Sequence, residues 1–511
     1  MPGEAVLCGD KLAETGLPAV RQGHTKKAPG IIWVCTEQKT LRPRAGKGGG
    51  KFLHEIPAWV HFIGIGGAGM SALASILLDL GHKVSGSDLA ASKATTRLAS
   101  RGAVIYFGHD PRHLGAAQMV VVSSAIKPDN PELVAARERN LPVVHRGELL
   151  AWLMKRQKGI AVAGAHGKTT TTSMLSLILE RAGRDPTVIV GGELDELGGN
   201  AKLGRGDYLV AEADESDGSF LKLDPLAVLV TNIEDDHLDY YGSLAGVKEA
   251  FRRFMGKVPP TGAVVACGDD PNVREAVGDL RCRVITYGCG PGNDYTLRTL
   301  DAKGRSPRGE VYYQGKYLGI LELSVPGEHN LLNALGAVAA ARWAGVDFPA
   351  AAAALKEFRG VKRRFQPLGE VGGVAVVDDY AHHPTEIKAT LRAARQLAPR
   401  RLVVVFQPHR YTRTALLHDR FGGAFEDADL LLVDEIYGAG EDPLAGVDAR
   451  LIVRAVTAHG RPPVIYLPGR EAIVSYLLER VLPGDLVMFV GAGNVWTYGV
   501  ELVKRLKEKA I

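Results

Sequence analysis

Two glycine-rich loops, one hundred residues apart, constrain this chain more than any other feature. The first is Gly64-Ile65-Gly66-Gly67-Ala68-Gly69, and the second is Gly164-Ala165-His166-Gly167-Lys168-Thr169-Thr170. Each loop follows a short apolar run and precedes a helical pattern, so each directs backbone N–H groups and a helix N-terminus at an anion. We therefore expect an α/β protein with two phosphate sites, and an ATP-dependent reaction on a nucleotide-carrying substrate is the first hypothesis.

The length and composition predict several domains with small-molecule sites. At about 150 residues per domain, 511 residues suffice for about three, and 46% hydrophobic residues can supply each core. The 62 basic and 57 acidic residues nearly balance, without a basic stripe, which argues against nucleic acid as a partner. Five cysteines without a Cys-x-x-Cys pair argue against a disulfide framework or a zinc site. Since neither a signal peptide nor a long apolar span is present, we expect a cytoplasmic protein without membrane association.

Alternating strand and helix patterns divide the chain into an extension and three α/β domains. Residues 1–50 lack periodicity and end in a basic, glycine-rich stretch, which predicts a disordered tail or a start codon assigned too early. Residues 51–156 and 157–360 alternate strands with helices, which is typical of parallel sheets. Residues 361–511 repeat this pattern, and the charged segment from Gly360 to Gln366 is the predicted hinge.

The first loop alone leaves its ligand open. A Gly-x-Gly-x-x-Gly sequence between a strand and a helix is a dinucleotide fingerprint, and Asp88 closes the next predicted strand, where a ribose-binding acid is expected. NAD, a UDP-sugar and a turn that only allows close packing all remain open. An NAD-dependent oxidoreductase, however, would leave the second loop unexplained.

The second loop has the chemistry of a nucleoside triphosphate site. Lys168 can reach β- and γ-phosphate oxygens, and the hydroxyl of Thr169 can bind magnesium. A Walker sequence would place its first glycine at Val162, so this loop is a shorter Gly-x-x-Gly-Lys-Thr-Thr. Glu212 ends an apolar run and is expected beside the loop as a further magnesium ligand, because parallel strands end at one sheet edge. His237 follows a similar run, and its position alone also suits a structural histidine.

Ordered motifs over residues 58–500 resemble those of the Mur ligases, the ATP-dependent amide-bond formers of peptidoglycan synthesis. The motifs are His61 to Ser71, Gly164 to Thr170, Glu212 to Asp217, Thr231 to Glu234 with His237, Gly327 to Asn330 with Asn333, Arg363 to Phe365, Asp378 to Pro384 and Gln407 to Thr414. The resemblance implies an N-terminal Rossmann-like domain for a UDP-sugar, a central P-loop ATPase domain with a parallel sheet, and a C-terminal Rossmann-like domain for an amino acid. It further implies that ATP, UDP-N-acetylmuramate and L-alanine react through an acyl phosphate.

The resemblance also implies binding residues. The UDP-sugar is expected at Gly64, Gly66, Gly67, Gly69, Ser87, Asp88, Ser123 and Ser124. ATP is expected at Gly164, Ala165, His166, Gly167, Lys168, Thr169 and Thr170, and at His329, Asn330 and Asn333. Magnesium is expected at Thr169, Glu212 and His237. L-Alanine is expected at Tyr380, His409, Arg410 and Arg413, and a guanidinium suits its carboxylate.

The catalytic residues implied by the resemblance are Lys168, Arg364, Asp379 and His382. Lys168 and Arg364 would neutralise phosphate charge, with Arg363 as the alternative arginine, and domain closure would bring the arginine to ATP. Asp379 or His382 would orient or deprotonate the alanine ammonium. Other Mur ligases have a carbamylated lysine where this chain has Phe251, so no carbamylation is expected.

Three other functions remain as alternatives. The first is an NAD-dependent oxidoreductase, and the second is a regulatory or mechanical P-loop NTPase, although the chain lacks an Asn-Lys-x-Asp guanine signature. The third is the recycling ligase that adds a tripeptide to the same sugar, whose first loop resembles Gly-Ile-Cys-Gly-Thr, unlike Gly64 to Ala68. We expect only small-molecule partners and a monomer or a weak homodimer.

Overall fold

Three β-sheets follow one another along the chain, and the computed structural model describes them over residues 56–194 and 198–509. The tail predicted at residues 1–50 lies outside the described residues. The chain divides after Arg156 into two units, the first with one sheet and the second with two. This architecture confirms the predicted three-domain α/β fold.

The first unit is a five-stranded parallel sheet. Its strands are β1 (Trp59–Ile63), β2 (Lys83–Asp88), β3 (Val104–Phe107), β4 (Met119–Val122) and β5 (Val143–His145). Its helices are α1 (Ala68–Asp79), α2 (Lys93–Ser100), α3 (Pro131–Glu138) and α4 (Arg146–Met154). The strand order is β3-β2-β1-β4-β5. The first glycine loop therefore follows the central strand, where the strand order reverses and ligands of such sheets bind.

The second unit begins with a ten-stranded sheet of order β15-β14-β13-β12-β11-β10-β6-β9-β7-β8. Its strands are β6 (Lys158–Ala163), β7 (Thr187–Leu194), β8 (Gly199–Lys202), β9 (Tyr208–Glu212), β10 (Ala227–Val230), β11 (Ala263–Cys267), β12 (Arg283–Gly288), β13 (Tyr295–Asp301), β14 (Arg308–Tyr313) and β15 (Lys316–Glu322). Its helices are α5 (Lys168–Arg181), α6 (Leu238–Tyr241), α7 (Leu244–Met255), α8 (Pro271–Val277), α9 (Glu328–Trp343) and α10 (Phe348–Glu357). The pairs β7–β8, β13–β14 and β14–β15 are antiparallel, and the other pairs are parallel.

A six-stranded sheet of order β16-β17-β21-β18-β19-β20 completes the second unit. Its strands are β16 (Gln366–Val371), β17 (Val374–Asp379), β18 (Arg401–Phe406), β19 (Leu430–Val433), β20 (Val464–Tyr466) and β21 (Asp485–Val490). Its helices are α11 (Pro384–Gln396), α12 (Tyr411–Phe421), α13 (Arg450–His459), α14 (Arg470–Arg480) and α15 (Trp496–Lys509). β16 is antiparallel to β17, and the other pairs are parallel.

Buried apolar strands place the functional segments at the sheet edges. In β6, residues 159–163 are buried, as are all residues of β10, so the loops that follow them emerge beside each other from the core of the central sheet. The predicted hinge lies between α10 and β16, and it connects the central sheet to the C-terminal sheet. Across the described parts of the chain, we find no helix of the length and apolar character needed to cross a membrane.

Candidate active site

The first glycine loop joins β1 to α1 and is fixed by the end of β2. The carbonyl of Ser87 accepts hydrogen bonds from the backbone N–H groups of Gly64, at 2.8 Å, and Ile65, at 3.0 Å. Oδ2 of Asp88 accepts the N–H of Gly66 at 2.8 Å. A Cβ on Gly66 would lie 2.8 Å from that same oxygen, so a larger residue there would displace the carboxylate that holds the loop. Asp88 therefore shapes the loop, at the position where a ribose-binding acid is expected.

A buried carboxylate lies beneath this loop, and the sequence analysis did not identify it. Oε2 of Glu132 accepts the hydroxyl of Ser87 at 2.5 Å and lies 3.2 Å from Nε2 of His61, while Oε1 lies 2.8 Å from Nδ1 of His113. Although burial alone would raise it, these hydrogen bonds lower the pKa of Glu132 to about 2. The side chain of Ser87 is fully buried in this network, and its carbonyl is the part that reaches the loop.

The remaining residues predicted for the UDP-sugar lie around the same sheet edge. Gly67 is the N-cap of α1, and Gly69 lies in the first turn of that helix. Ser123 and Ser124 directly follow β4, the neighbour of β1, and Oγ of Ser124 lies 3.0 Å from Nε2 of His145.

The second glycine loop joins β6 to α5 and is clamped by residues that follow β10. The N–H of Ala165 donates to the carbonyl of Asn232 at 3.1 Å, and the N–H of His166 donates to Oδ1 of Asn232 at 2.8 Å. The hydroxyl of Thr231 donates to the carbonyl of His166 at 2.6 Å. A Cβ on Gly164 would lie 2.0 Å from Oγ1 of Thr231, so the clamp requires glycine at the start of the loop.

Lys168, the first residue of α5, is half-buried and packs against its own loop and one carboxylate. Its Nζ donates to the carbonyls of Gly164 at 2.6 Å and Ala165 at 3.0 Å, and to Oε1 of Glu215 at 2.7 Å. Although burial alone would lower it, the carboxylates of Glu215 and Glu212 raise the pKa of Lys168. Burial raises the pKa of Glu215 to about 7 against the opposing effect of Lys168. The ammonium is thus charged and lies at the loop centre.

Two predicted magnesium ligands, Thr169 and Glu212, contact each other at the start of α5, and the third, His237, lies beside Glu215. The hydroxyl of Thr169 donates to the carboxylate of Glu212, whose two oxygens both lie at 3.0 Å. Nε2 of His237 lies 3.7 Å from Oε1 of Glu215, which in turn contacts Lys168. Burial lowers the pKa of His237, which favours the neutral imidazole. Hydroxyl and carboxylate oxygens are the donors that Mg²⁺ prefers, so the pair of Thr169 and Glu212 fits this ion.

The position where other Mur ligases have a carbamylated lysine belongs to the hydrophobic core. Phe251 on α7 is 1% exposed, and its ring centroid lies 5.3 Å from that of Phe220. A lysine side chain at this position would replace an aromatic contact of the core. This packing is consistent with the expected absence of a carbamylated lysine, which stays a prediction.

A cavity of about 1020 Å³ lies between the second loop, the start of α9, the hinge and the C-terminal sheet. Among the predicted ATP residues, its lining includes His166, Gly167, Thr169, Thr170, His329, Asn330 and Asn333. Asn333 touches the loop closely, since a Cβ on Gly167 would lie 2.6 Å from its Oδ1. Burial lowers the pKa of His329 to about 4, so this ring is neutral. The cavity thus brings the two separate groups of predicted ATP residues together.

The two hinge arginines have different surroundings. Arg364 lines the cavity, where its Nη1 lies 3.4 Å from Oε1 of Glu386. Arg363 instead donates from Nη2 to the carbonyl of Gly491 at 2.7 Å, and its Nε lies 3.2 Å from Oδ2 of Asp378. Arg364 stays the preferred candidate for the arginine that would face ATP, because it lines the cavity, whereas Arg363 is bound by Asp378 and Gly491.

The two candidates for handling the alanine ammonium also differ. Asp379 ends β17 and accepts three hydrogen bonds, from the N–H groups of Phe365 at 2.8 Å and Ala381 at 2.7 Å and from the hydroxyl of Thr390 at 2.9 Å. Nδ1 of His382 lies 3.0 Å from the carbonyl of Tyr380, which can only accept, so this nitrogen has the proton and Nε2 has the lone pair. Burial, with help from Arg413, lowers the pKa of His382 to about 3.

Residues after β18 approach both His382 and the central domain. Arg413 donates from Nη2 to Oδ1 of Asp236 at 3.2 Å, and its Nη1 lies 3.3 Å from Nδ1 of His409. The rings of His409 and His382 have centroids 5.6 Å apart. Arg410 is more exposed, with its Nε 4.0 Å from Oε1 of Glu441. The structure thus brings His382, His409 and Arg413 together, with Arg410 at the rim.

A cluster of charged and imidazole groups joins the central and C-terminal domains beside the ATP loop. Nε2 of His166 lies 3.4 Å from Oε2 of Glu234, and Nδ1 lies 3.4 Å from Oε1 of Glu386. Ligand atoms of His166, Glu234 and His383 lie within 4.8 Å of one another, which a metal could use. Although burial alone would lower it, the two carboxylates raise the pKa of His166 to about 9. His166 is therefore protonated at neutral pH and forms charged contacts with both carboxylates.

Three family models match the chain in order. The Mur ligase family catalytic domain matches residues 59–158, the Mur ligase middle domain matches residues 162–341, and the Mur ligase glutamate ligase domain matches residues 363–493. These matches cover the glycine loops, the hinge arginines and the segments that follow β17 and β18.

Individual relatives agree with the family models. UDP-N-acetylmuramate--L-alanine ligase of Pelotomaculum thermopropionicum is 60% identical over 450 residues, which are 88% of this chain and 98% of the relative. The structure of UDP-N-acetylmuramate-alanine ligase from Thermotoga maritima is 32% identical, with a TM-score of 0.76, over 88% of this chain and 99% of that one. A murein peptide ligase from Psychrobacter arcticus is 27% identical, with a TM-score of 0.68, over 88% and 99%. This chain belongs to the Mur ligase family.

Proposed function

We propose that this chain joins L-alanine to the lactyl carboxylate of UDP-N-acetylmuramate, with ATP converted to ADP and phosphate. The observation that supports this best is the cavity beside the second glycine loop, which Arg364 of the hinge also lines. The cavity would take the triphosphate between Gly167, Thr169 and Arg364, and the cluster around His382 would take the amino acid. Since ATP and UDP-sugars are metabolites of the cytoplasm, a cytoplasmic location is part of the same proposal.

The second loop would hold the triphosphate. Backbone N–H groups at the start of α5 and the Nζ of Lys168 would bind phosphate oxygens, while Asn330 and Asn333 would lie on the nucleoside side. Arg364 would neutralise charge on the γ-phosphate during its transfer to the carboxylate oxygen. The carboxylate becomes an acyl phosphate, and phosphate is then the leaving group.

Magnesium would be held by Thr169 and Glu212, with His237 on the side of Glu215. When bound, Mg²⁺ neutralises phosphate charge so that two anions can react. The hydrogen bond from Thr169 to Glu212 already holds both oxygen donors beside the loop.

The amino acid would be held by the C-terminal domain. Within residues 56–194 and 198–509, the buried Nε of Arg413 has no hydrogen-bond partner, so it is available to the alanine carboxylate. Nε2 of the neutral His382 can accept a hydrogen bond from the ammonium and so orient it, and with a pKa of about 3 it would pass the proton on to solvent rather than keep it. His409, Arg410 and Tyr380 would complete the amino-acid site, and the amine would attack the acyl carbon to release phosphate.

The first glycine loop would bind the diphosphate of UDP-N-acetylmuramate. The N–H groups of this loop lie at the N-terminus of α1, where a diphosphate is favoured. Asp88 would contact the nucleoside part of the UDP-sugar while its Oδ2 accepts the N–H of Gly66. Ser87 would contribute through its carbonyl, because its hydroxyl is bound to Glu132.

The second candidate is the ligase that adds a preformed tripeptide to the same sugar, since the Psychrobacter arcticus structure has this fold at 27% identity. The 60% identity to an L-alanine ligase favours the single amino acid. Phosphate release is measured with ATP, Mg²⁺, UDP-N-acetylmuramate and either each amino acid or the tripeptide. We expect release with L-alanine, whereas release with the tripeptide and none above background with L-alanine would reject the proposal.

A further inference from the structure

The carboxylate of Glu386 contacts three parts of the proposed active site at once. Glu386 lies in the first turn of α11, and its Oε1 lies 3.4 Å from Nη1 of Arg364 and 3.4 Å from Nδ1 of His166. Its Oε2 accepts the N–H of His382 at 3.1 Å. One carboxylate of the C-terminal domain therefore contacts the ATP loop, the hinge and the amino-acid side.

His166 is the residue of the central domain that contacts Glu386. Its imidazole lies between Glu386 of the C-terminal domain and Glu234 of the central domain, 3.4 Å from each. A second interdomain contact is adjacent, because the hydroxyl of Thr385 donates to Oε2 of Glu234 at 2.7 Å. Glu386 is thus shared between two cations, one on the loop that would hold ATP and one on the hinge.

We propose that His166 and Glu386 form a bridge that couples closure of the C-terminal domain over ATP to the position of Arg364, an inference that rests on the proposed function. These two are positioning residues. When the bridge forms, Oε1 of Glu386 interacts with both His166 and Arg364, so its attraction for Arg364 alone is weaker. Arg364 is then oriented into the cavity but can still move to the γ-phosphate. Without His166, Glu386 would retain Arg364 and withhold it from the γ-phosphate.

The carboxylate can be removed without removing the helix cap. Glu386 also completes the capping box of α11, where its Oε2 accepts the N–H of His383 at 3.4 Å. Glu386→Gln keeps an acceptor oxygen for this cap and removes the charge. Lys388→Ala is the matched control, because Lys388 is an exposed residue of the same helix.

The test compares His166→Asn, Glu386→Gln and the double variant in the full-length enzyme. With all substrates saturating, we expect each single variant to lower kcat about tenfold or more, and the double variant to be no slower than the slower single variant. Lys388→Ala should keep the wild-type rate. A double variant whose loss equals the product of the two single losses would overturn the coupling.

A second measurement keeps this test separate from the proposed reaction. Hydrogen exchange of residues 380–388 is followed with a non-hydrolysable ATP analogue and no amino acid. We expect the analogue to slow exchange in the wild-type enzyme, and this protection to be lost equally in both single variants. Unchanged protection in either variant would overturn the bridge. If both variants lose the protection but the wild-type enzyme shows no alanine-dependent phosphate release, only the proposed function is rejected.

Discussion

Nζ of Lys168 lies 2.7 Å from Oε1 of Glu215, and the carboxylate is buried while the lysine side chain is half-buried. This ion pair positions in advance the lysine that would bind phosphate in the proposed reaction. On ATP binding, we expect Lys168 to exchange a carboxylate and two loop carbonyls for phosphate oxygens, since the lysine side chain is long enough to reach either.

Lys168→Ala should abolish phosphate release and also destabilise the protein. The alanine would leave the carboxyl of Glu215, whose pKa is already raised to about 7, without its cation, so Glu215 would be protonated near neutral pH and the loss of stability should grow as the pH rises. Adding Glu215→Gln should restore the free energy of unfolding without restoring activity. Urea unfolding and phosphate release measure the two effects separately, and activity in the stable double variant would reject the phosphate role of Lys168.

Arg413→Ala should raise the KM for L-alanine by about a hundredfold, because a buried guanidinium that pairs with a carboxylate is difficult to replace. Arg420→Ala is the matched control. Arg420 also reaches the central domain, at 2.6 Å from Asp235, but this pair is exposed and contributes little. Initial rates at varied L-alanine concentration distinguish the two variants, and equal effects would show that Arg413 acts only by joining the domains.

His382→Ala should lower kcat about a hundredfold with little change in stability, since Nε2 of this neutral ring can accept from the amine. Asp379→Asn should chiefly lower stability, because Asp379 accepts three internal hydrogen bonds. With a pKa of about 3, His382 stays neutral across the working range. The pH dependence of kcat should therefore show no ionisation of His382 near pH 6.5. Any ionisation seen near that pH in the wild-type enzyme should also be present in His382→Ala.

His166 should make stability depend on pH in the alkaline range. Its pKa is about 9 in the folded protein, against 6.5 for a free histidine, because Glu234 and Glu386 favour the charged form despite burial and the nearby His383. The contribution is fully present below pH 6.5 and is lost as the pH rises through 9. The difference in unfolding free energy between wild type and His166→Asn should shrink over this range. A constant difference would contradict a protonated His166.

The proximity of residues that follow parallel strands could be predicted from the sequence. Thr169 and Glu212 were expected together because β6 and β9 end at one edge of the sheet, and the structure joins them by a hydrogen bond. The antiparallel strands β14 and β15 escaped prediction, since they lie half exposed at the sheet margin and lack the continuous apolar run of the buried parallel strands.

Contacts that arise from domain packing could not be predicted in the same way. Glu386 and His166 are 220 residues apart, and neither the spacing nor the residue type indicates that they meet. Glu132 was missed for a similar reason, because its partners His61 and His113 come from β1 and from a short 3₁₀ helix, 71 and 19 residues away in the sequence. Glu215 was inside a recognised motif, but its pairing with Lys168 depends on how two loops fold.

Transfer of an oxygen atom from the substrate carboxylate to phosphate tests the central claim most directly. UDP-N-acetylmuramate labelled with ¹⁸O in its lactyl carboxylate is incubated with ATP, Mg²⁺ and L-alanine, and the released phosphate is analysed by mass spectrometry. If the carboxylate attacks the γ-phosphate and phosphate then leaves the acyl carbon, each phosphate from fully labelled substrate contains one ¹⁸O atom. Unlabelled phosphate formed together with the amide product would contradict the acyl phosphate route.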